Sequence, residues 1–292
     1  MSKVYFTKTI SPASVPTLFE KLGKPLSGKV AVKVHSGEKG NQNFLKPDFW
    51  KPIIDAVGGT VVETNTAYNG ERNYTDRHLQ LLEEHGWSPL FPTQILDDEA
   101  PDITLSIPDG KAIKENRIGR HTTEYDSMLV LAHFKGHPMG GYGGALKQLA
   151  IGCASSAGKS IIHSAGATDD QSDVWQKAAA QDLFLEAMAD AAKSIIELFK
   201  GKIVYINVMK NLSVDCDCCA VAEDPCMGDV GMLISDDPVA IDQACIDLVY
   251  ASTDPGKAHF IERVESRHGT HLIDTAAEIG CGSKNYELIT LD

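Results

Sequence analysis

Met128-Leu-Val-Leu-Ala-His-Phe134 is a nearly unbroken apolar run, and it passes directly into Lys135-Gly-His-Pro-Met-Gly-Gly-Tyr-Gly-Gly-Ala-Leu-Lys147. A run of this length that ends at a glycine cluster reads as a buried strand, and the residues from Ala145 to Ile151 read as a helix. Strand, glycine loop, helix is the repeating unit of an α/β fold, and the same alternation extends outward in both directions. Strands are expected at Val4–Thr7, Val30–Val34, Gly59–Glu63, Lys202–Val208 and Gly231–Ile234. Helical spacing marks Val15–Leu22, Phe49–Val57, Thr75–His85 and a long stretch from Gln171 to Phe199. Pro238–Tyr250 is a further helix, opened by Asp236-Asp237 as a cap and by Pro238 in its first turn. Pro108-Asp109-Gly110 separates two short runs within Thr104–Ile118, as a hairpin would. The pattern predicts one compact α/β domain, residues 1–292, with a mixed, mainly parallel sheet flanked by helices and a small hairpin appendage near residues 102–120.

Composition narrows the partners. The chain has 292 residues, 43% of them hydrophobic and 23% charged, within the range of globular proteins that bury a core. A formal charge of −13 disfavours nucleic acid and anionic membranes, both of which reward clustered Lys and Arg. No apolar run is long enough to span a membrane. The start, MSKVYFTKTI, lacks the charged and then apolar pattern of a leader. A cytoplasmic location is expected.

The glycine-rich loop has a chemical reading. Gly140, Gly141, Gly143 and Gly144 would let backbone amides approach a ligand, and a helix N-terminus favours an anion. Lys147, one turn into that helix, would add charge. The alternative is a tight turn that needs left-handed backbone. Cys153-Ala-Ser-Ser-Ala-Gly-Lys-Ser160 resembles a nucleotide-binding loop but lacks its first glycine. It follows a helix and precedes strand-like Ser160–His163, so nucleotide binding is excluded there.

Four of seven cysteines lie between Cys216 and Cys226, in Asp215-Cys-Asp-Cys-Cys219 and at Cys226. Clustered thiolates are costly without a metal or a disulfide partner, and an odd number of cysteines in a cytosolic chain favours the metal. Cys216 and Cys218, at C-x-C spacing, are the first candidates for an iron–sulfur cluster, with Cys153 or Cys226 completing the set. Zinc is the alternative, although its sites usually use wider spacing. Cys219 is the weakest of the clustered candidates, Cys245 reads as a small buried hydrophobe, and Cys281 carries no signal. Of ten histidines, His78, His85, His259, His268 and His271 read as surface residues. His35, His137 and His163 stand at expected strand ends, where α/β sheets gather ligands. With Glu38 they are the candidate acid–base groups.

Several of these blocks coincide in one family. Val32-Lys-Val-His-Ser-Gly-Glu38, Lys135-Gly-His137 through Gly143-Gly-Ala-Leu-Lys147, Gly152-Cys-Ala154, Cys216-Asp-Cys218, Asp229-Val-Gly-Met-Leu233 and Ser235–Ala244 together resemble the DUF362 family. That family has no settled reaction, and its members are often described as Fe–S center proteins. The resemblance spans about Val30 to Val249. Many relatives insert a ferredoxin-like module with C-x2-C-x2-C cysteines, whereas His163–Lys202 here contains no cysteine. The expected function is a cytosolic metal-thiolate protein, most simply an iron–sulfur oxidoreductase, that transfers electrons or reduces a small anionic substrate with a redox protein as possible partner. Alternatives are a non-catalytic metal or cluster carrier and a zinc-dependent hydrolase or lyase.

Overall fold

Two stretches of seven residues, Ser127–His133 and Ile203–Met209, are buried along their whole length, and such strands need a layer on each face. The computed structural model describes residues 1–292 and supplies both layers. In chain order the elements begin with β1 (Ser2–Thr7), α1 (Ser14–Leu22), β2 (Val30–Lys33), α2 (Pro47–Val57), β3 (Thr60–Glu63), α3 (Thr75–Glu84) and β4 (Thr93–Ile95). A hairpin, β5 (Ile103–Ser106) and β6 (Glu115–Ile118), precedes β7 (Ser127–His133) and a miniature hairpin, β8 (Lys135–His137) and β9 (Gly141–Gly143). Helices α4 (Ala145–Cys153), α5 (Ser156–His163) and α6 (Gln181–Leu198) follow. The chain closes with β10 (Ile203–Met209), β11 (Gly231–Ser235), α7 (Pro238–Ala251), α8 (Lys257–Ser266), α9 (His271–Glu278) and β12 (Tyr286–Thr290).

Eight strands form one sheet in the order β12-β1-β11-β10-β7-β2-β3-β4. Every neighbouring pair from β10 to β4 is parallel, and β11 runs antiparallel to both of its neighbours. The sheet is thus mixed and mainly parallel, as the sequence pattern predicts. Side chains alternate between the two faces. Leu129, Leu131, Val204 and Ile206 pack with α1, α2 and α3, while Met128, Val130, Ile203 and Tyr205 pack with α4, α5, α6 and α7. The α7 cap is built as expected, with the Asp237 side chain accepting from the amides of Val239 and Ala240.

Three local expectations change. Ser160–His163 is not a strand but the last half of α5, which Ser155 caps by accepting from the Gly158 amide. The long helix starts at Gln181 rather than near Gln171. The β5–β6 hairpin is no appendage, because Ile107, Ile113 and Ile118 lie in the main core. Its turn is tied to α6 by Asp190, whose carboxylate accepts from the amides of Lys111, Ala112 and Ile113.

Chain direction across the sheet reverses between β2 and β7. From β2 the chain moves on to β3 and β4 by way of α2 and α3, and from β7 it moves the other way to β10 by way of α4, α5 and α6. These helix sets cover opposite faces, so a crevice opens beyond the carboxyl ends of β2 and β7, where ligands bind in open α/β sheets. No helix is long and apolar enough to cross a membrane.

Candidate metal centre

Between β10 and β11 the chain makes a long excursion carrying all four clustered cysteines. It is held against the carboxyl end of the sheet by backbone bonds from three directions. The Gly136 amide donates to Ser213, the Glu38 amide donates to Asp217, and Arg263 donates to the carbonyl of Val214 (2.8, 2.8 and 2.7 Å). The first contact requires glycine, since a Cβ at Gly136 would lie 2.4 Å from the Val214 oxygen. Asn41 donates to the Cys219 carbonyl, and the Cys219 amide bonds back to Cys216, closing the turn.

Asp217 anchors the turn from below. Its carboxylate lies 3.0 Å from the Lys135 ammonium and 3.0 Å from Nδ1 of His133, with all three side chains buried. Burial pushes this carboxyl up, but His133 and Lys135 outweigh it and hold its pKa below the usual range. With Asp217 pointing inward, the flanking cysteines converge on His137. The Sγ atoms of Cys216 and Cys218 and an imidazole nitrogen of His137 all lie within 4.8 Å of one another. Two thiols and an imidazole at that separation could hold a metal ion.

Protonation in this cluster follows from its neighbours. Burial raises the Cys216 thiol, yet a hydrogen bond from Cys218 and the charges of Lys147 and Lys135 bring it well below its ordinary value. Lys147 Nζ is 3.9 Å from Cys216 Sγ. Cys218 is pushed up by the same hydrogen bond, by a second one with Cys219 and by burial. Burial and Lys147 lower His137 to about 4, and its ring is neutral at neutral pH. Its Nδ1 accepts from the amides of Met139 and Gly140 (3.1 and 2.8 Å), which places the ring proton on Nε2, 3.9 Å from Cys218 Sγ. A metal bound at Nε2 would have to displace that proton and leave an imidazolate, whose charge the two amides at Nδ1 would stabilise, whereas the usual ligand histidine donates its other N–H to an acceptor.

The cluster forms one wall of a cavity of about 260 Å³. His35, His137, Lys147, His163 and Cys218 line it, so five of the residues singled out in the sequence do meet. Lys33 and Arg72 also line it but are neutralised. Glu63 lies 2.6 Å from Lys33 and 3.6 Å from Arg72, and Glu38 lies 3.2 Å from Arg72. Glu38 itself is absent from the lining and serves to fix Arg72 and to accept from Tyr68. Burial and Arg72 lower His35, while burial and His137 lower His163 to about 3. His163 is stacked on Phe184, 4.9 Å between centroids, with Trp175 beside it.

Other sequence candidates sit elsewhere. Cys153 is fully buried in the core, its thiol against the Gln148 carbonyl and Met128, and burial pushes it up to about 11. Cys226 donates to the Leu212 carbonyl. Neither joins the cluster, because α4 and the outgoing arm of the loop carry them away. The glycines do not cradle a ligand either. Asp242 already occupies the α4 N-terminus, accepting from the amides of Ala145 and Leu146 (2.8 and 3.0 Å). Gly144 is needed because a Cβ would meet that carboxylate at 2.4 Å, and Gly141, at φ 79°, packs on Gly269. Gly140 donates its amide inward to His137, and Gly143 lies beside the stems of Lys147 and Lys135. His78, expected at the surface, is fully buried, and desolvation lowers it to about 3.

Sequence reasoning passed over Lys33, Glu63, Tyr68, Arg72, His133, Asp217 and Lys159. A signal existed for two of them: His133 ends a strand just as the chosen histidines were thought to, and Asp217 stands between the two ligand candidates. Nothing local marks Arg72, which reaches the cavity from a short 3-10 turn, Glu71–Asn73, between β3 and α3.

Comparison with known proteins adds a family. No curated protein matches the chain. Among solved structures, the lactate racemase apoprotein from Thermoanaerobacterium thermosaccharolyticum aligns at 14% identity over 70% of this chain and 50% of its own, with a TM-score of 0.41. A structural-genomics protein from Thermotoga maritima aligns at 10% identity over 91% of this chain and 58% of its own, with a TM-score of 0.46. This chain therefore spans 50% of the first and 58% of the second. The family model described as "Domain of unknown function (DUF362)" matches residues 30–247, from β2 to within α7, and the chain belongs to that family.

Proposed function

We propose that this protein is a metal-dependent enzyme that acts on a small anionic molecule, with the metal held by Cys216, Cys218 and His137. The observation that carries this is the position of the donors. Cys218 and His137 belong both to the ligand group and to the wall of a cavity that Lys147 and Lys159 also line, so an ion there would have its open side towards a bound substrate. Three protein ligands and one open position is the arrangement of catalytic rather than structural metal sites. A carrier that hands its metal to another protein needs accessible thiolates, and Cys216 is fully buried.

Thiolate and imidazole donors suit zinc, iron or copper(I). Iron would support electron transfer or reduction, and zinc would support hydrolytic or lyase chemistry by polarising a substrate oxygen. An iron–sulfur cluster usually takes four thiolates, and the two distant cysteines do not supply the remainder. The test is metal and acid-labile sulfide analysis of anaerobically prepared protein. We expect about one metal ion per chain in wild type, retained in Cys153→Ala and Cys226→Ala but lost in Cys216→Ala and Cys218→Ala. Stoichiometric sulfide with iron would replace the single ion by a cluster. Full metal retention in both Cys216→Ala and Cys218→Ala would refute the site.

A further inference from the structure

The segment Cys153–Ser160, set aside as a failed nucleotide loop, carries a lysine with unspent hydrogen-bonding capacity. Lys159 is 6% exposed, lines the cavity and belongs to no ion pair. Its ammonium donates to Thr64 Oγ1 (2.7 Å) and to the Ala154 carbonyl (2.6 Å). The Thr64 hydroxyl gives its own proton to Gly152, so it faces Lys159 as an acceptor. An ammonium has three protons, and the third has no acceptor in the protein. Gln148, on α4, lies one turn before Gly152, whose carbonyl bonds Thr64. Gln148 is 7% exposed, lines the cavity, and its Nε2 amide has no partner at all.

One Lys159 proton and the Gln148 amide are thus buried without acceptors, which is costly, and both residues line one cavity. An anion with two acceptor oxygens satisfies both. Phosphate sites normally recruit backbone amides at a helix N-terminus, but the α4 amides are already taken by Asp242. A carboxylate needs fewer donors. Beside these groups the wall turns apolar, with Ile151, Phe184 and the half-exposed Trp175.

We propose that Lys159 and Gln148 form a carboxylate subsite, and that the substrate is a small carboxylic acid whose apolar body rests against Phe184 and Trp175. The subsite rests on the cavity being the substrate site, but it does not require the metal. Trp50 and Trp87 are buried, so Trp175 fluorescence reports on the cavity. Metal-loaded and chelated protein are titrated with benzoate, its neutral isostere benzamide, and phenyl phosphate. Saturable benzoate binding is expected in both preparations, with benzamide much weaker. Lys159→Met should weaken benzoate roughly tenfold or more, and Gln148→Leu, which removes no charge, should weaken it several-fold with an unchanged melting temperature. Absence of saturable benzoate binding, equal affinity for benzamide, preference for phenyl phosphate, or unchanged affinity in Gln148→Leu would each overturn the assignment. Loss of the metal reading alone would leave every one of these outcomes in place.

Discussion

Replacing Asp217 by Asn tests whether the turn bearing Cys216 and Cys218 is held by a buried charge. Asp217 and Lys135 are 1% and 6% exposed and 3.0 Å apart, and His133 reaches the same carboxylate. Asn keeps the shape and removes the charge, leaving the Lys135 ammonium buried without a counter-ion. Removing one partner of such a pair costs about 3–5 kcal/mol. With a urea slope of roughly 3 kcal/mol/M for a large domain, the unfolding midpoint should fall by about 1–1.7 M. Tryptophan fluorescence at neutral pH measures it, since Trp50 and Trp87 are core residues. The companion change Lys135→Met removes the stranded charge. Asp217→Asn in that background should therefore cost much less, and the cycle should show a coupling of about 1–3 kcal/mol. The sign with pH also follows. Asp217 has a depressed folded pKa, so its contribution is present above the unfolded carboxyl value and disappears as pH falls through the folded one. A midpoint shift corresponding to less than about 1 kcal/mol, or two single variants whose effects simply add, would refute the buried pair as the anchor.

Gly144→Ala should destabilise the protein by about 1–3 kcal/mol in the same urea assay, because its Cβ would meet the Asp242 carboxylate that caps α4; an unchanged midpoint would contradict the packed reading of the glycine loop. Lys159, buried, is lowered to about 8 from 10.5. The unfolded chain then binds the extra proton between those values, so the Lys159 contribution to stability rises with pH across that window, by about 3 kcal/mol in all. The wild type minus Lys159→Met difference in unfolding free energy, measured without added carboxylate, should show that rise, and a flat difference would reject it. Lys147→Met should shift the Cys216 thiolate titration upward, read by ultraviolet thiolate absorbance of chelated protein, since Lys147 is one of the charges holding it down. No shift would remove Lys147 from the site's electrostatics.

The class of fold was legible because it depends on local periodicity. Apolar runs bounded by glycine and proline give strands whichever neighbours they find, and helical spacing gives α1, α2, α3 and α7 to within a few residues of their observed ends. The hairpin and the Asp237 cap were legible for the same reason. The error at Ser160–His163 arose because a short β-branched run fits either state, and only packing against β6 and the core made it helical.

The site divides along the same line. Cys216 and Cys218 stand out in the sequence because their thiols are concentrated within three residues, and His35 and His137 because of the apolar runs before them. What the sequence could not fix was which distant groups meet. Cys153 and Cys226 carry the same thiol as Cys216, and only the paths of α4 and the loop hold them apart from the group formed by Cys216, Cys218 and His137. Glu63 at the end of β3, Arg72 in the connection after it and Lys159 in α5 are joined by the reversal between β2 and β7. Glycines that read locally as a ligand cradle became packing surfaces once Asp242, far along the chain, supplied the carboxylate that their helix end sought. Residue type and spacing determined the chemistry available to this chain. Burial and long-range contact decided which of it was brought to one place, because charge, proton and metal affinity depend on neighbours that no local window contains.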